Sequence, residues 1–366
     1  MTTSAELQGF HRRMIEGGIR APSGDNCQPW FFRFATPEQL VIHMLPARAH
    51  SFFDFHHGPS YLSVGAVIEN IRTLAASYQL GTNLEYLGGT GDHPAARMTF
   101  YPDPQAAVPG SVVNAIFART VNRRAFFPWP ISAQKVQPLL ARPVAGTRVR
   151  VLRKRKEIGR WARLIYLAEL IRYSHPVIHA ELYSKLLFPE DLVKGQRVGL
   201  EVNRLGLGPG GQGLLRFLRP WSRVERLNRW GLHRVLAGQS RFLALTSSAL
   251  VVVSIPESTP ADWMRAGEQV QRLWVVAHEH GLAVHPMTVA FYLDRRYQDE
   301  GLVNFCPGHQ AKLEELRRRL SNEALQGIGA MLFRLGYAWP MTGTSIRMPI
   351  EAFVDEERVE AESDQN

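Results

Sequence analysis

The sequence predicts a chain of interspersed strands and helices that holds a similar unit twice, plus a helical insertion. Three observations lead there. Short strand-like runs, WFFRF, LVIHML, RMTFY, RVRVL and ALVVVSIP, are spread over both halves of the chain. Two long helical stretches repeat at an offset of 200 residues, with Ala66 matched by Ala266, Arg72 by Arg272, Leu74 by Trp274 and Gly81 by Gly281. Between RVRVL and ALVVVSIP lies a long, basic, helical stretch, 156–245, with a break at GLGPGGQG.

Residues 5–18 read as a short helix that stops at Gly17-Gly18. APSGDNCQPW, 21–30, is a turn crowded with short hydrogen-bonding side chains, and two strands follow around TPEQ. In SYLSVGAVIENIRTLAASYQLG, Ser60 is the expected N-cap and Gly81 the expected stop. RMTFY and RVRVL are strands, with ARTVNRRAFF between them. In the second half ALVVVSIP reads as a buried strand. TPADWMRAGEQVQRLWVVAHEHG is a helix capped by Thr259, with Pro260 in its first turn and Trp263, Ala266, Val270, Leu273, Trp274 and Ala277 as its apolar stripe.

A chain of 366 residues buries about three quarters of its unfolded surface, so one large or two modest domains are expected. The net charge of +10 favours an anionic partner such as a phosphate cofactor, nucleic acid or a membrane surface. Two cysteines, Cys27 and Cys306, argue against a disulfide scaffold or structural zinc site and point to a reducing cytoplasm. The first twenty residues lack the apolar core of a secretory signal, and FLALTSSALVVVSI is too short to span a bilayer.

APSGDNCQPW resembles the APS-x-x-N-x-QPW segment of the nitroreductase family of FMN-dependent oxidoreductases. GAVIENIRTLAASYQLG resembles the helix that follows it there, AGEQVQRLWVVAHEHGLAVHPMT the helix and turn beside the flavin, and SIRMPIEAFV the closing segment. The chain is similar to both subunits of the usual homodimer joined end to end, as in the double-repeat, dormancy-associated subfamily. The resemblance implies an α+β, nitroreductase-like fold, two fused units at 1–115 and 116–352 with central antiparallel-type sheets flanked by helices and the insertion 156–245 in the second, while the acidic composition of the tail, 353–366, predicts disorder. The second unit has no copy of the QPW motif, and the arginine signature stands at RTVNRRAF rather than at the start, which implies one flavin per chain.

The resemblance also implies roles. Ser23, Asn26 and Gln28 would face the polar edge of the flavin ring, with Trp30 packed beneath the turn. Arg119, Arg123, Arg347 and the near-tied Arg124 would hold the phosphate, and Asn122 stands where the family has Ser or Thr. Pro286, Met287 and Thr288 would run along the ring. NAD(P)H would reduce FMN, and an electron-poor small molecule of nitroaromatic or quinone type would reoxidise it. The alternative is an FMN-binding or storage protein with a lid that blocks nicotinamide.

Other signals carry less. GLGPGG, 206–211, matches a dinucleotide fingerprint in letters but has no preceding strand. The thirteen histidines form no ligand set, and no nucleophile elbow occurs. LLRFLRPWSRVERLNRWGLHRVL, 214–236, reads as a helix that packs its apolar side, as a lid, or as a membrane-surface element. No transmembrane segment and no nucleic-acid partner are expected, and the chain is expected to be a monomer or homodimer.

Overall fold

The computed structural model describes residues 4–354, with side chains from residue 9 onward. Its first half contains α1 (Ser4–Gly18), β1 (Trp30–Thr36), β2 (Gln39–Met44), α2 (Pro46–Ala49), α3 (Gly58–Ser77), β3 (Leu80–Tyr86), β4 (Ala96–Pro102), α4 (Gly110–Ala118) and α5 (Ala133–Leu140). Next come β5 (Arg148–Leu152), α6 (Arg155–Arg172), α7 (Pro176–Lys185), β6 (Leu186–Leu187), α8 (Pro189–Val193), β7 (Leu200–Glu201), α9 (Gly211–Leu218), α10 (Trp221–Arg229) and α11 (Leu232–Leu245). The chain then returns through β8 (Ala249–Ile255), α12 (Pro260–Glu279), β9 (Ala283–Pro286), α13 (Val289–Glu300), α14 (Pro307–Ser321) and β10 (Ile328–Gly336).

The class is α+β. One four-stranded sheet runs β1-β2-β4-β3 and a second runs β5-β8-β10-β9, both antiparallel throughout. β8 is buried on both faces, which explains its unbroken apolar run. Alternation along it sends Val251 and Val253 toward the core shared with α3 and α12, and Leu250 and Val252 toward α6 and α13. The stretch 156–245 is therefore partly a structural layer, because α6 places Ile158, Trp161 and Ile165 in that second core.

α3 and α12 cross at two glycines. A Cβ on Gly65 would sit 1.9 Å from the Met264 carbonyl oxygen, and one on Gly267 would sit 1.9 Å from that of Leu62. These reciprocal contacts relate Leu62 to Met264 and Gly65 to Gly267, so the units repeat at 264 − 62 = 267 − 65 = 202 residues. The offset of 200 expected from sequence is corrected. A two-residue shift turns a helix position by about 200°, so Arg72 and Arg272 are not equivalent. Their pairings agree: Arg272 binds Glu69 at 2.7 and 2.8 Å, Arg72 binds Glu268, and Gln271 donates to Asn70 Oδ1 at 2.6 Å.

Two local expectations also change. Ser60 lies inside the first turn of α3, where its backbone N–H and hydroxyl donate to the Asp54 carboxylate at 2.9 and 2.7 Å. Asp54, upstream, therefore supplies the cap. Gly81 belongs to β3, and α3 ends at Ser77 with Gln79 in the left-handed region at φ 56°. Thr259 does cap α12, accepting from the Asp262 N–H at 3.2 Å. Of the expected acidic tail, Phe353 is buried against Trp30 and Phe32, and 355–366 lie outside the described residues.

Gly267→Ala is expected to cost about 3 kcal/mol or more, since the overpacked atom meets backbone that cannot retreat. Denaturant unfolding checks this. Unchanged stability would mean that the helices do not approach so closely.

Candidate functional site

The site starts from the turn 23–28. The Ser23 hydroxyl accepts the Gln28 N–H at 3.0 Å, and the Asn26 and Cys27 N–H groups donate to the Ser23 and Gly24 carbonyls. Closure this tight puts Asp25, Asn26 and Gln28 at φ 47°, 58° and 52°, a region costly for residues with a Cβ. The outcome is that Asn26 and Gln28 aim their amides inward.

Those amides join distant segments. Asn26 Nδ2 donates to the Gly199 and Ile346 carbonyls, each at 3.1 Å, and its Oδ1 accepts from Arg347 at 2.7 Å. Gln28 Nε2 donates to the Arg197 carbonyl at 2.8 Å, and its Oε1 accepts the Met348 N–H at 3.0 Å. Arg347 also donates to the carbonyls of Ile19 at 2.6 Å and Ala21 at 2.9 Å. α1, the turn, the β7 segment and the closing segment thus meet at one knot.

Beside the knot is a cavity of about 60 Å³. Guanidinium groups of Arg20, Arg119, Arg123, Arg204 and Arg347 line it, together with the hydroxyl-bearing Ser23, Thr120 and Ser345. Its lining contains one carboxylate, Glu201, which accepts the Ile346 N–H at 2.9 Å and stands 3.9 Å from Arg204. Arg119 donates to the Arg20 carbonyl and lies 4.6 Å from the Trp274 ring centre, yet its Nε, like that of Arg20, is buried with no hydrogen-bond partner among the described residues. Burial, with Arg347 and Arg20 nearby, pushes Arg119 down to about 9. Burial likewise pushes Arg123 and Arg347 down to about 10. An enclosed pocket with five arginines and one carboxylate in its lining is short of negative charge, and its chemistry suits an oxyanion with bidentate reach.

Of the residues expected from sequence, Ser23, Asn26, Arg119, Arg123 and Arg347 line this cavity, and Gln28 belongs to the adjoining knot. The others do not line it. Asn122 donates to the Trp339 carbonyl at 2.9 Å, and Arg124 reaches outward to the Pro340 carbonyl at 3.2 Å. Pro286 pairs with Phe333 in the second sheet, the Met287 N–H donates to the Leu332 carbonyl at 2.7 Å, and the Thr288 hydroxyl points at that same carbonyl from 3.3 Å. Trp30 opens β1 rather than flooring the turn alone, and stacks on Phe353 with ring centres 6.5 Å apart.

Sequence reasoning missed Arg20, Arg204 and Arg334. Arg20 immediately precedes the APS motif, which was a usable signal, whereas Arg204 was one arginine among many in the basic stretch. Arg334 is fully buried and holds the 119–126 segment from behind. It donates to the Arg124 carbonyl at 2.6 Å and to His285 Nδ1 at 3.0 Å, and its guanidinium lies 3.8 Å from the Phe126 ring centre. Burial pushes Arg334 down to about 9, and burial together with Arg334 pushes His285 well below its usual range.

Among known proteins, the chain is 33% identical over 353 residues to the uncharacterized protein MT1398 of Mycobacterium tuberculosis, a match covering 94% of this chain. The chain spans about half the length of this curated relative, 48%. No family model matches. Similar solved structures include the FMN-dependent nitroreductase NfnB of Mycobacterium smegmatis in complex with NADPH, 16% identical over 63% of this chain and 88% of that one, with a TM-score of 0.31. A nitroreductase with bound FMN from Bacteroides fragilis is 13% identical over 64% and 93% of the two chains, with a TM-score of 0.33. A BluB-like flavoprotein from Clostridium difficile is 12% identical over 65% and 95%, with a TM-score of 0.35. No helix among the described residues is long and apolar enough to cross a membrane.

The depressed His285 pKa has a definite sign for stability. Below pH 6.5 the unfolded chain takes up a proton that the fold refuses, so stability falls with pH, by up to about 1.4 kcal/mol per pH unit for one such group. His285→Gln keeps an acceptor for Arg334 and is expected to flatten that slope in unfolding measured at a series of pH values. An unaltered slope would show that the imidazole titrates freely.

Proposed function

We propose that the chain is a nitroreductase-type flavoprotein that holds one FMN and passes electrons from NAD(P)H to an electron-poor acceptor of nitroaromatic or quinone type. The observation that carries this reading is the buried arginine cavity tied by the Arg347–Asn26 bond to the turn of short amides. When bound, the flavin would accept and release hydride. The chain's own residues would hold its phosphate through Arg119, Arg123 and Arg347, orient its rim through Ser23, Asn26 and Gln28, and exclude water. Asn122 and Arg124 would support the cavity indirectly, by fixing the 339–340 backbone.

The two ends of the cofactor fit unequally. The Nε atoms of Arg20 and Arg119, which have no partner among the described residues, suit a phosphate. The ring end is closed, because Asn26 and Gln28 already spend their amides on the carbonyls of Gly199 and Arg197. The free volume of about 60 Å³ is also far below the roughly 300–1,000 Å³ of an ordinary small-molecule pocket. The strap 196–201 must therefore swing out for a ring to enter, and a place for Pro286, Met287 and Thr288 beside that ring requires the same opening. This observation favours a second reading, an FMN-binding or storage protein in which the strap excludes nicotinamide.

Protein incubated with FMN and freed of excess is expected to retain flavin absorbance, and Arg119→Leu or Arg347→Ala to weaken retention about 10- to 100-fold, the range for a hydrogen bond to a charged group. Anaerobic NADPH or NADH then separates the readings: bleaching supports the oxidoreductase, and retained colour supports storage. Protein that stays colourless refutes both.

A further inference from the structure

The protein carries a second cationic surface, remote in chemistry from the knot, and this one is apolar as well. Arg155 organises it. From the first turn of α6 its guanidinium donates to the carbonyls of Leu245 at 3.1 Å, Ser247 at 3.0 Å and Pro128 at 3.2 Å. The end of α11 and the loop FFPWP are thereby held side by side.

On the loop side, Phe127 stacks on Trp129 with ring centres 4.6 Å apart and meets Trp339 at 5.7 Å, while its N–H donates to the Tyr337 carbonyl at 2.7 Å. Stacking of this kind ordinarily hides aromatic surface, yet Trp129 remains 57% exposed and Trp339 69%. On the helix side, α11 buries Ala237, Ser240 and Ala244, and it turns Val235 and Phe242 outward, 71% and 56% exposed. Positions 234, 235, 241, 242 and 245 fall within an arc of about 120°, so Arg234 and Arg241 stand on the same side as Val235, Phe242 and Leu245. Trp230, just ahead of the helix, is 87% exposed.

Positive charge dominates this face among the described residues. Lys154, Arg155 and Lys156 at the start of α6, with Arg234 and Arg241 on α11, supply it, and all five are exposed. Lys154 and Lys156, on either side of Arg155, are exposed, and Glu157, half-buried, is the next acid along the chain.

We infer that this face, formed by the start of α6, the outer side of α11 and the Trp129–Trp339 cluster, docks on an anionic phospholipid surface. Its guanidinium and ammonium groups meet lipid phosphates, and its indole, phenyl and valine tips enter the headgroup layer, where amphipathic aromatics are favoured. A surface built for nucleic acid would need its cations but not an outward row of Val235, Phe242 and Leu245. The inference is independent of the flavin reading.

The full chain is mixed with vesicles of equimolar phosphatidylglycerol and phosphatidylcholine, or of phosphatidylcholine alone, and sedimented. Binding is expected only to the anionic vesicles, with loss at high salt and a blue shift of tryptophan emission. The triple variant Lys154→Glu, Lys156→Glu, Arg241→Glu is expected to bind about 100-fold more weakly, at roughly a factor of five per cation. Trp339→Ser with Phe242→Ser should lower both affinity and blue shift, and Arg12→Glu on α1 should change neither, with all thermal midpoints preserved. Equal binding to neutral vesicles, no binding, or equal weakening by Arg12→Glu overturns the inference. So does a gel shift of duplex DNA or RNA, sensitive to the triple variant, in protein that ignores vesicles. Self-association abolished by Phe242→Ser, without vesicle binding, would assign the face to a second copy of the chain instead.

Discussion

The near-contact of α3 and α12 at Gly65 and Gly267 governs the architecture. With backbone pressed on backbone at both glycines, the two units share one core in place of two, and polar groups near the crossing have few partners except one another. Arg272 on Glu69, Arg72 on Glu268, and Gln271 on Asn70 are the consequence. Burial pushes the Glu268 carboxyl upward while Arg72 and the Tyr86 hydroxyl pull the other way, so that acid is held as part of a network. From Asn70 the network reaches the Gly17 carbonyl at 2.8 Å and so fixes the end of α1, the residue stretch from which Arg20 and the polar turn depart.

The candidate site inherits its geometry from that crossing. Arg119, brought to the Trp274 face by α4, and Arg347, brought in by the closing segment, converge from distant parts of the chain on the turn 23–28. Each arginine is held largely by backbone carbonyls, which orient a guanidinium without neutralising it. That arrangement leaves positive charge in an enclosed place, the electrostatic condition for binding an oxyanion. The strap 196–201 adds a constraint of a different kind, since the side chains best suited to a polar ring edge are engaged by its carbonyls.

The two cationic regions differ in what surrounds the charge. In the cavity the arginines are enclosed and flanked by hydroxyls. On the α6–α11 face they are open and interleaved with apolar tips. Enclosure selects a small anion by shape and hydrogen bonding, whereas an open, apolar-studded plane matches an extended charged surface.

Much of this was readable from the residues. Period-two and long apolar runs located β1, β2, β4, β5 and β8 within two residues, and Thr259 with Pro260 marked the start of α12, because these signals are local. β3 and β10 were not read, since LGTNLEY is half-buried at a sheet edge and IGAMLFRLG carries two glycines and an arginine that only its setting explains. The repeat was visible but its register was two residues off, because side-chain identity follows contacts across the crossing and not position within a unit. Local patterns located the elements, while the resemblance of several segments to one family supplied the fold class and pointed to the polar turn and to several of the arginines that line the cavity. Which amides are already engaged, which guanidinium nitrogens have no partner among the described residues, and which aromatic rings face water depend on segments as far apart as 26 and 347, brought together by packing that no local pattern records.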